Sequence, residues 1–392
     1  MTDVVIAGIG QIPVGEHWEL SLRQMSTRAI RAALADSAGL QPQAMYIGNV
    51  FSSIISHQAN LGALLSDYAN LRGIESYTVE AAGASGGGAL RMAYLAILSG
   101  YVDTALVLGM EKWTDQVGRE TQTAAATTMD SDYESTPGLN LTAQAGLLMQ
   151  RYLYEHHLPA NALAGFPILA HANGVNNPNA FYRRKLSQEE YDHAEKISDP
   201  LNLYDAAPMA DGAAALLLTR RDLLPANFSQ PLVRILGSSV AIDTLAAHDR
   251  PDPLAFDAAR ISMEGACSQA GIKPIYADLF ELDDSYSIYA ALSLEAAGFA
   301  GKGKGCELVS TEAGQAGKGL FGPQAKLPVL TMGGCKARGN PLGAKGVYQA
   351  VEAVMQLRGS CGANQVPDAH LALIQCLGGP ASTAITHVLE KL

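Results

Sequence analysis

The sequence predicts an α/β fold built from two copies of one unit, and two observations carry that prediction. Short β-branched runs alternate with helix-period segments along the chain, the pattern of a sheet with helices packed on it. A five-residue punctuation also recurs, as Ala38-Gly39-Leu40-Gln41-Pro42 and Ala270-Gly271-Ile272-Lys273-Pro274. Each ends a helix on Gly and forbids its continuation with Pro before an apolar strand begins. The same stop signal at corresponding places implies an internal duplication.

Taken in order, residues 4–10 form a β-branched run ending in glycine and read as a buried strand. Residues 21–38 have helical periodicity and stop at Gly39. A second strand is predicted over 45–55, a small-residue helix over 85–98 and a buried strand over 104–109. The stretch 119–204 is different: it is rich in Thr, Asn, Tyr and His and carries the cationic cluster Arg183, Arg184 and Lys185. It reads as an excursion over the top of the first half, where lids and ligand contacts sit. Residues 211–218 look like the closing strand of that half, and 222–231, with two prolines, like the linker. Residues 232–237 mirror the opening strand, and 378–384 look like the second closing strand. The expected organisation is an N-terminal half over 1–118 and 205–222, the excursion over 119–204, and a C-terminal half over 231–392.

Composition excludes several classes. With 48% hydrophobic and 17% charged residues among 392, disorder cannot dominate. No apolar run is long enough to span a bilayer, and the N-terminus lacks a basic region and a cleavage site, so a cytoplasmic protein with no membrane partner is expected. The net charge of −11 disfavours nucleic acid, although a local basic patch for a phosphate-bearing ligand remains allowed. The cysteines are Cys267, Cys306, Cys335, Cys361 and Cys376, with no CxxC and no His pair at metal spacing. Reduced thiols and no metal are expected.

Two glycine-rich loops could carry chemistry. Residues 79–89 (VEAAGASGGGA) run from a strand through a tight turn into a helix, whose exposed N–H groups favour an oxyanion or a phosphate. The GxGxxG spacing is absent, so nicotinamide binding is not expected. Residues 333–344 (GGCKARGNPLGA) form the second such loop.

Residues 79–89 and 333–346, with 177–180 (NPNA), 205–213 (DAAPMADGA), 281–286 (ELDDSY) and 376–379 (CLGG), resemble in order the motifs of the thiolase superfamily. Within it, the chain is most similar to the lipid-transfer (sterol-carrier-protein-type) and archaeal-type thiolases. The resemblance implies two duplicated βαβαβαββ halves in a five-layer αβαβα arrangement and a tight homodimer. It also implies a coenzyme A thioester as substrate or ligand, with no tightly bound cofactor. Such relatives often work beside a partner that joins a zinc ribbon to an OB-fold.

The catalytic positions depart from the family pattern. Gly83 stands where the family has its acyl-accepting Cys, Asp283 where it has a His, Tyr286 where it has a Phe, and Asn340 where the Gly-His-Pro motif has its His. Only Cys376 coincides with a reactive residue, the acid/base Cys of classical thiolases. Gly83 has no side chain, so no acyl group can form there. The remaining parts suit retro-aldol cleavage of a β-hydroxyacyl-CoA. Asp283 would be the base, Asn340 with backbone near Gly378 and Gly379 the oxyanion hole, Cys376 the proton exchanger and Tyr286 a donor to the departing carbonyl. Arg183, Arg184 and Lys185 would meet the CoA phosphates. Two rivals stay open: a catalytically silent acyl-CoA-binding or scaffold subunit, and acetyl-CoA acetyltransferase-like transfer through Cys376. Each residue also has a plainer role available, as a solvated turn, a cap or a buried structural thiol.

Overall fold

The computed structural model describes residues 3–309 and 327–392, so part of the C-terminal half, 310–326, lies outside the described residues. The first half comprises β1 (Val4–Gln11), α1 (Leu22–Asp36), β2 (Ala44–Gly48), α2 (Leu61–Tyr68), β3 (Glu75–Val79), α3 (Ser85–Leu98) and β4 (Thr104–Glu111). The excursion follows as α4 (Arg119–Ala126), α5 (Leu141–Glu155), α6 (Gly165–Gly174) and α7 (Gln188–Asp192), then the short ribbon β5 (Lys196–Ser198) and β6 (Leu201–Asn202). β7 (Gly212–Arg220) returns to the sheet. The second half contains β8 (Val233–Ile242), α8 (Asp257–Ala270), β9 (Leu279–Glu281), α9 (Ser287–Ala296), α10 (Lys345–Arg358), β10 (Leu371–Gly378) and β11 (Thr383–Lys391).

Local chemistry explains the boundaries. Ser21 opens α1 with a capping box, its hydroxyl accepting from the Gln24 N–H while Gln24 accepts from the Ser21 N–H. Gly271 ends α8 in the left-handed region at φ 68°. The strand expected over 45–55 stops at Gly48. Beyond it, the N–H groups of Val50 and Phe51 donate to the Glu111 carboxylate rather than to a neighbouring strand, and the chain leaves the sheet. The second closing strand begins at Thr383, and residues 378–382 belong mostly to the turn before it.

The strands form one mixed sheet in the order β3-β2-β4-β7-β1-β8-β11-β10-β9. β3, β2 and β4 are parallel, and β7 runs antiparallel between β4 and β1. In the second half β9 and β10 are parallel, and β11 runs antiparallel between β10 and β8. Val329 bridges Phe280 in parallel on the outer edge of β9, the place β3 holds in the first half. The two halves therefore repeat one topology, and their sheets join at a single bridge, Val5 with Arg234.

Five layers result. α1 and α2 cover the outer face of the first half-sheet around Met25, Ile30 and Leu106. α3 and α10 fill the middle, against Leu90, Val107, Val351 and Ile374. α8 and α9 cover the second half-sheet, where Met263, Phe280 and Leu292 join Phe166 of the excursion. Among the described residues no helix is long and apolar enough to cross a membrane.

His387 of β11 faces the middle layer, fully buried, with Nε2 against the Gly87 carbonyl at 3.1 Å and Nδ1 unpartnered. Burial lowers its pKa from 6.5 to about 4. The folded protein thus binds this proton later than the unfolded chain, so stability falls as pH drops from 6.5 toward about 4. The full loss is about 3 kcal/mol. Glu111 and Glu352, raised to about 7 and about 8 by burial, act in the opposite sense. The expected result is therefore a difference: the advantage of wild type over His387→Gln in denaturant melts shrinks between pH 7 and pH 4.5 by about 2–3 kcal/mol. An advantage that does not change with pH would refute the assignment.

Candidate active site

The site lies where the middle helices meet the excursion, around a cavity of about 430 Å³. Gly83, at the turn into α3, lies on its wall together with Ser285, Tyr286, Asn340, Lys345 and Gly379. A second chamber of about 260 Å³ adjoins it, and the two share Ile197, Ala206 and Ala207.

Lys345 is the residue that sequence reasoning missed. It is the first residue of α10, 2% exposed, and its Nζ forms an ion pair with Asp283 and donates to Ser285 Oγ at 3.0 Å. A Cβ built on Gly83 would lie 2.6 Å from that Nζ and 2.5 Å from the Leu377 carbonyl oxygen. The ammonium therefore occupies the space that a side chain at position 83 would need. Burial alone would lower the Lys345 pKa, but the Asp283 carboxylate outweighs it and the group is held above the usual lysine value.

Asp283 sits behind the wall. Its Oδ1 accepts from the Ser285 N–H at 3.0 Å and the Ser285 hydroxyl at 2.6 Å, and its Oδ2 accepts from the Leu377 N–H at 3.1 Å and from Lys345. It does not line the cavity, and it is separated from it by Ser285, Lys345 and Leu377, which do. The expectation that Asp283 faces substrate as a free base is corrected accordingly: four donors engage its carboxylate. Neither acid is a solvated turn. Asp284 is also fully buried and accepts from the Cys335 and Lys336 N–H groups at 2.6 and 3.3 Å, which anchors the second glycine-rich loop. Gln349, one turn beyond Lys345 on α10, donates to the Leu282 carbonyl at 2.9 Å and fixes the 281–283 turn against that helix.

Asn340 lines the cavity and is 8% exposed. Its backbone N–H donates to the Pro208 carbonyl at 3.0 Å, while its Oδ1 has no hydrogen-bond partner. Glu111 steadies the same loop from the first half, accepting from the Gly343 N–H at 3.2 Å. The Tyr286 hydroxyl lies 3.1 Å from Thr142 Oγ1 of the excursion, and burial raises its pKa.

Cys376 is not on the wall. Its Sγ lies where a Cβ on Gly87 would be, at 2.2 Å, and contacts the Ile385 carbonyl at 3.7 Å. Burial pushes its pKa up to about 12, only partly offset by Lys345. The structure does not bring this thiol to substrate, so the expected proton exchange through it has no geometric route. Gly379 lines the cavity and Gly378 does not; a Cβ on Gly378 would meet the Ala81 carbonyl at 2.6 Å.

Of the cationic cluster, Arg184 lines the second chamber, held by Glu190 at 2.8 Å and the Tyr204 hydroxyl at 2.9 Å. Arg183 and Lys185 are exposed and line neither cavity. Among the described residues no three His, Cys, Asp or Glu side chains are grouped to hold a metal ion.

Residues 4–222 match the family model described as thiolase, N-terminal domain, and 239–391 the one described as thiolase C-terminal domain-like. The chain belongs to the thiolase family. It is 36% identical over 393 residues to an acetyl-CoA acetyltransferase of Methanothermobacter thermautotrophicus, covering 100% of both chains. It is 27% identical to sterol carrier protein 2 of Gallus gallus, over 98% of this chain and 71% of that one. Among solved structures it is similar to the Ltp2-ChsH2(DUF35) aldolase, with TM-score 0.83 and 21% identity, covering 99% and 98% of the two chains.

Proposed function

We propose that this protein binds acyl-CoA thioesters and breaks the Cα–Cβ bond of their acyl chain without an acyl-cysteine, by retro-aldol cleavage of a β-hydroxyacyl-CoA. The observation that carries the reading is the Lys345 ammonium, which fills the volume of the missing side chain at position 83. A fixed cation on the cavity wall stabilises negative charge that develops there, as on a thioester enolate. The naming of relatives as acetyl-CoA acetyltransferases supports the acyl-CoA part. The aldolase among the structural neighbours is consistent with the reaction, its likeness being one of fold.

In this reading the thioester oxygen points at Lys345 and the Asn340 amide, and the CoA arm runs toward the chamber walled by Arg184. The Cα–Cβ bond breaks and its electron pair enters the enolate. The β-hydroxyl hydrogen passes to the Tyr286 oxygen as Tyr286 hands its own through Thr142 to cavity water. The enolate carbon takes a proton from that water, leaving a carbonyl product and a shortened acyl-CoA. Asp283 serves as counter-ion to Lys345, a different role from the one its motif suggested.

One observation favours a silent acyl-CoA-binding subunit as the second reading, with a zinc-ribbon/OB-fold partner. The ionisable groups on the described wall are Tyr286, Tyr289 and Lys345, and all three are held in their protonated forms. Acyl transfer through Cys376 gains no support from the position of its thiol.

The test is calorimetry with acyl-CoA followed by product analysis after incubation with β-hydroxyacyl-CoA. Binding with cleavage is expected. Binding without cleavage by the chain alone would transfer support to the subunit reading, and absence of binding would overturn both.

A further inference from the structure

The Asp283, Lys345 and Ser285 side chains form a compact group of which only part has been used. Ser285 Oγ donates to Asp283 Oδ1 at 2.6 Å and accepts from Lys345 Nζ at 3.0 Å. Ser285 lines the cavity, whereas Asp283 does not. A hydroxyl between a carboxylate that can take its proton and a cation that can stabilise its alkoxide is an activated nucleophile. The same Nζ that touches Ser285 Oγ lies 2.6 Å from the Cβ position of residue 83. The hydroxyl is thus set beside the place where the family's thiol would stand.

We infer that Ser285 is an acyl-accepting nucleophile, and that the protein hydrolyses acyl-CoA thioesters through an O-acyl serine. This goes beyond carbon–carbon cleavage and rests on the proposed reading only for acyl-CoA binding. Ser285 Oγ bonds to the thioester carbonyl carbon as its proton moves to Asp283 Oδ1, with Lys345 donating to the oxygen as charge builds. The C–S bond breaks, its electron pair leaves on the CoA sulfur, and that sulfur takes a proton from Lys345, which lines the cavity, as Lys345 takes the one Asp283 holds. Water then attacks the ester carbonyl and gives its proton to Lys345 as Lys345 passes one to Asp283. The C–O bond to Ser285 breaks, and Oγ recovers the proton. The net reaction is acyl-CoA plus water to carboxylic acid plus CoA thiol, and no oxidant or metal enters.

A nucleophile at Ser285 differs from one at position 83 in its attachment. It sits at the N-terminal approach to α9 rather than α3, so the acyl group is presented from the second half of the molecule. Gly83 then has a positive role, since any side chain there would displace the lysine that Ser285 depends on.

The test uses the wild-type chain with acetyl-CoA as probe. Intact mass after rapid quenching is expected to show one acetyl group, which peptide mapping places on Ser285 and hydroxylamine removes as an ester. Release of CoA thiol is expected to fall on the order of 10³-fold in Ser285→Ala. An adduct that resists hydroxylamine and maps to Lys345 would overturn the inference, as would thiol release unchanged in Ser285→Ala. No adduct from acetyl-CoA that calorimetry shows to bind would overturn it alone, leaving the lyase reading standing. Absence of binding would overturn both. Because the mapping needs no variant, a poorly folded Ser285→Ala does not spare the inference.

Discussion

Replacing Lys345 by methionine is expected to cost both activity and stability, and the stability loss is large. The substitution leaves the Asp283 carboxylate fully buried with donors only from Ser285 and the Leu377 N–H. Removing one partner of a buried ion pair typically costs about 3–5 kcal/mol, because the other charge remains desolvated. Denaturant unfolding should register that loss, and the double variant Lys345→Met/Asp283→Asn should recover much of it, since the surviving partner is then neutral. Acyl-CoA cleavage should fall by about 10²–10³-fold in both the single and the double variant, the range for removing one fixed donor to a developing oxyanion. Stability restored without activity would separate the two roles of the lysine. A double variant no more stable than Lys345→Met alone would sink the ion-pair account.

Restoring a cysteine at position 83 is expected to damage the protein instead of converting it into a thiolase. Its Cβ would come within 2.5 Å of the Leu377 carbonyl oxygen, a backbone atom that can move only with β10, and within 2.6 Å of Lys345 Nζ. Overpacking of this kind costs about 1–3 kcal/mol. Gly83→Cys should therefore melt below wild type and yield no acyl-cysteine with acetyl-CoA. A Gly83→Cys protein as stable as wild type that acylates at residue 83 would show that the space is not contested.

Much of this architecture is written in local sequence. The bounds 85–98 expected for the small-residue helix are those of α3, because the turn over residues 81–84 before it and Gly100 after it act within a few residues. The repeated helix stop before each second strand reports the duplication that the sheet order displays. The altered positions Gly83 and Asn340 were equally legible, and both line the cavity.

What escaped depends on partners far along the chain. A lysine at the start of an amphipathic helix reads as solvated, and nothing near Lys345 names Asp283 as its counter-ion. The one available signal is its setting, a charge inside the small and apolar run Pro341-Leu342-Gly343-Ala344-Lys345-Gly346-Val347. Asp283 was found by its motif, but its burial and its four donors belong to tertiary packing. Cys376 illustrates a different failure. Its neighbours in the motif touch the cavity, yet side chains alternate along a strand, and this one turns toward Gly87 of α3. Residues 49–55 have strand composition, and a buried carboxylate from β4 captured the N–H groups of Val50 and Phe51.

The contest between residue 83 and the Lys345 ammonium for one small volume also bears on whether the route back to cysteine chemistry is open. A thiol cannot return while the lysine is present, for want of room. The lysine cannot be withdrawn while Asp283 is a carboxylate, for want of a counter-charge. Neutralising Asp283 first leaves the lysine as a buried cation without its partner. Each single step backward is penalised by a different force, steric in one case and electrostatic in the others. The three positions behave as a ratchet, and even their simultaneous exchange would also require the Leu377 carbonyl to move.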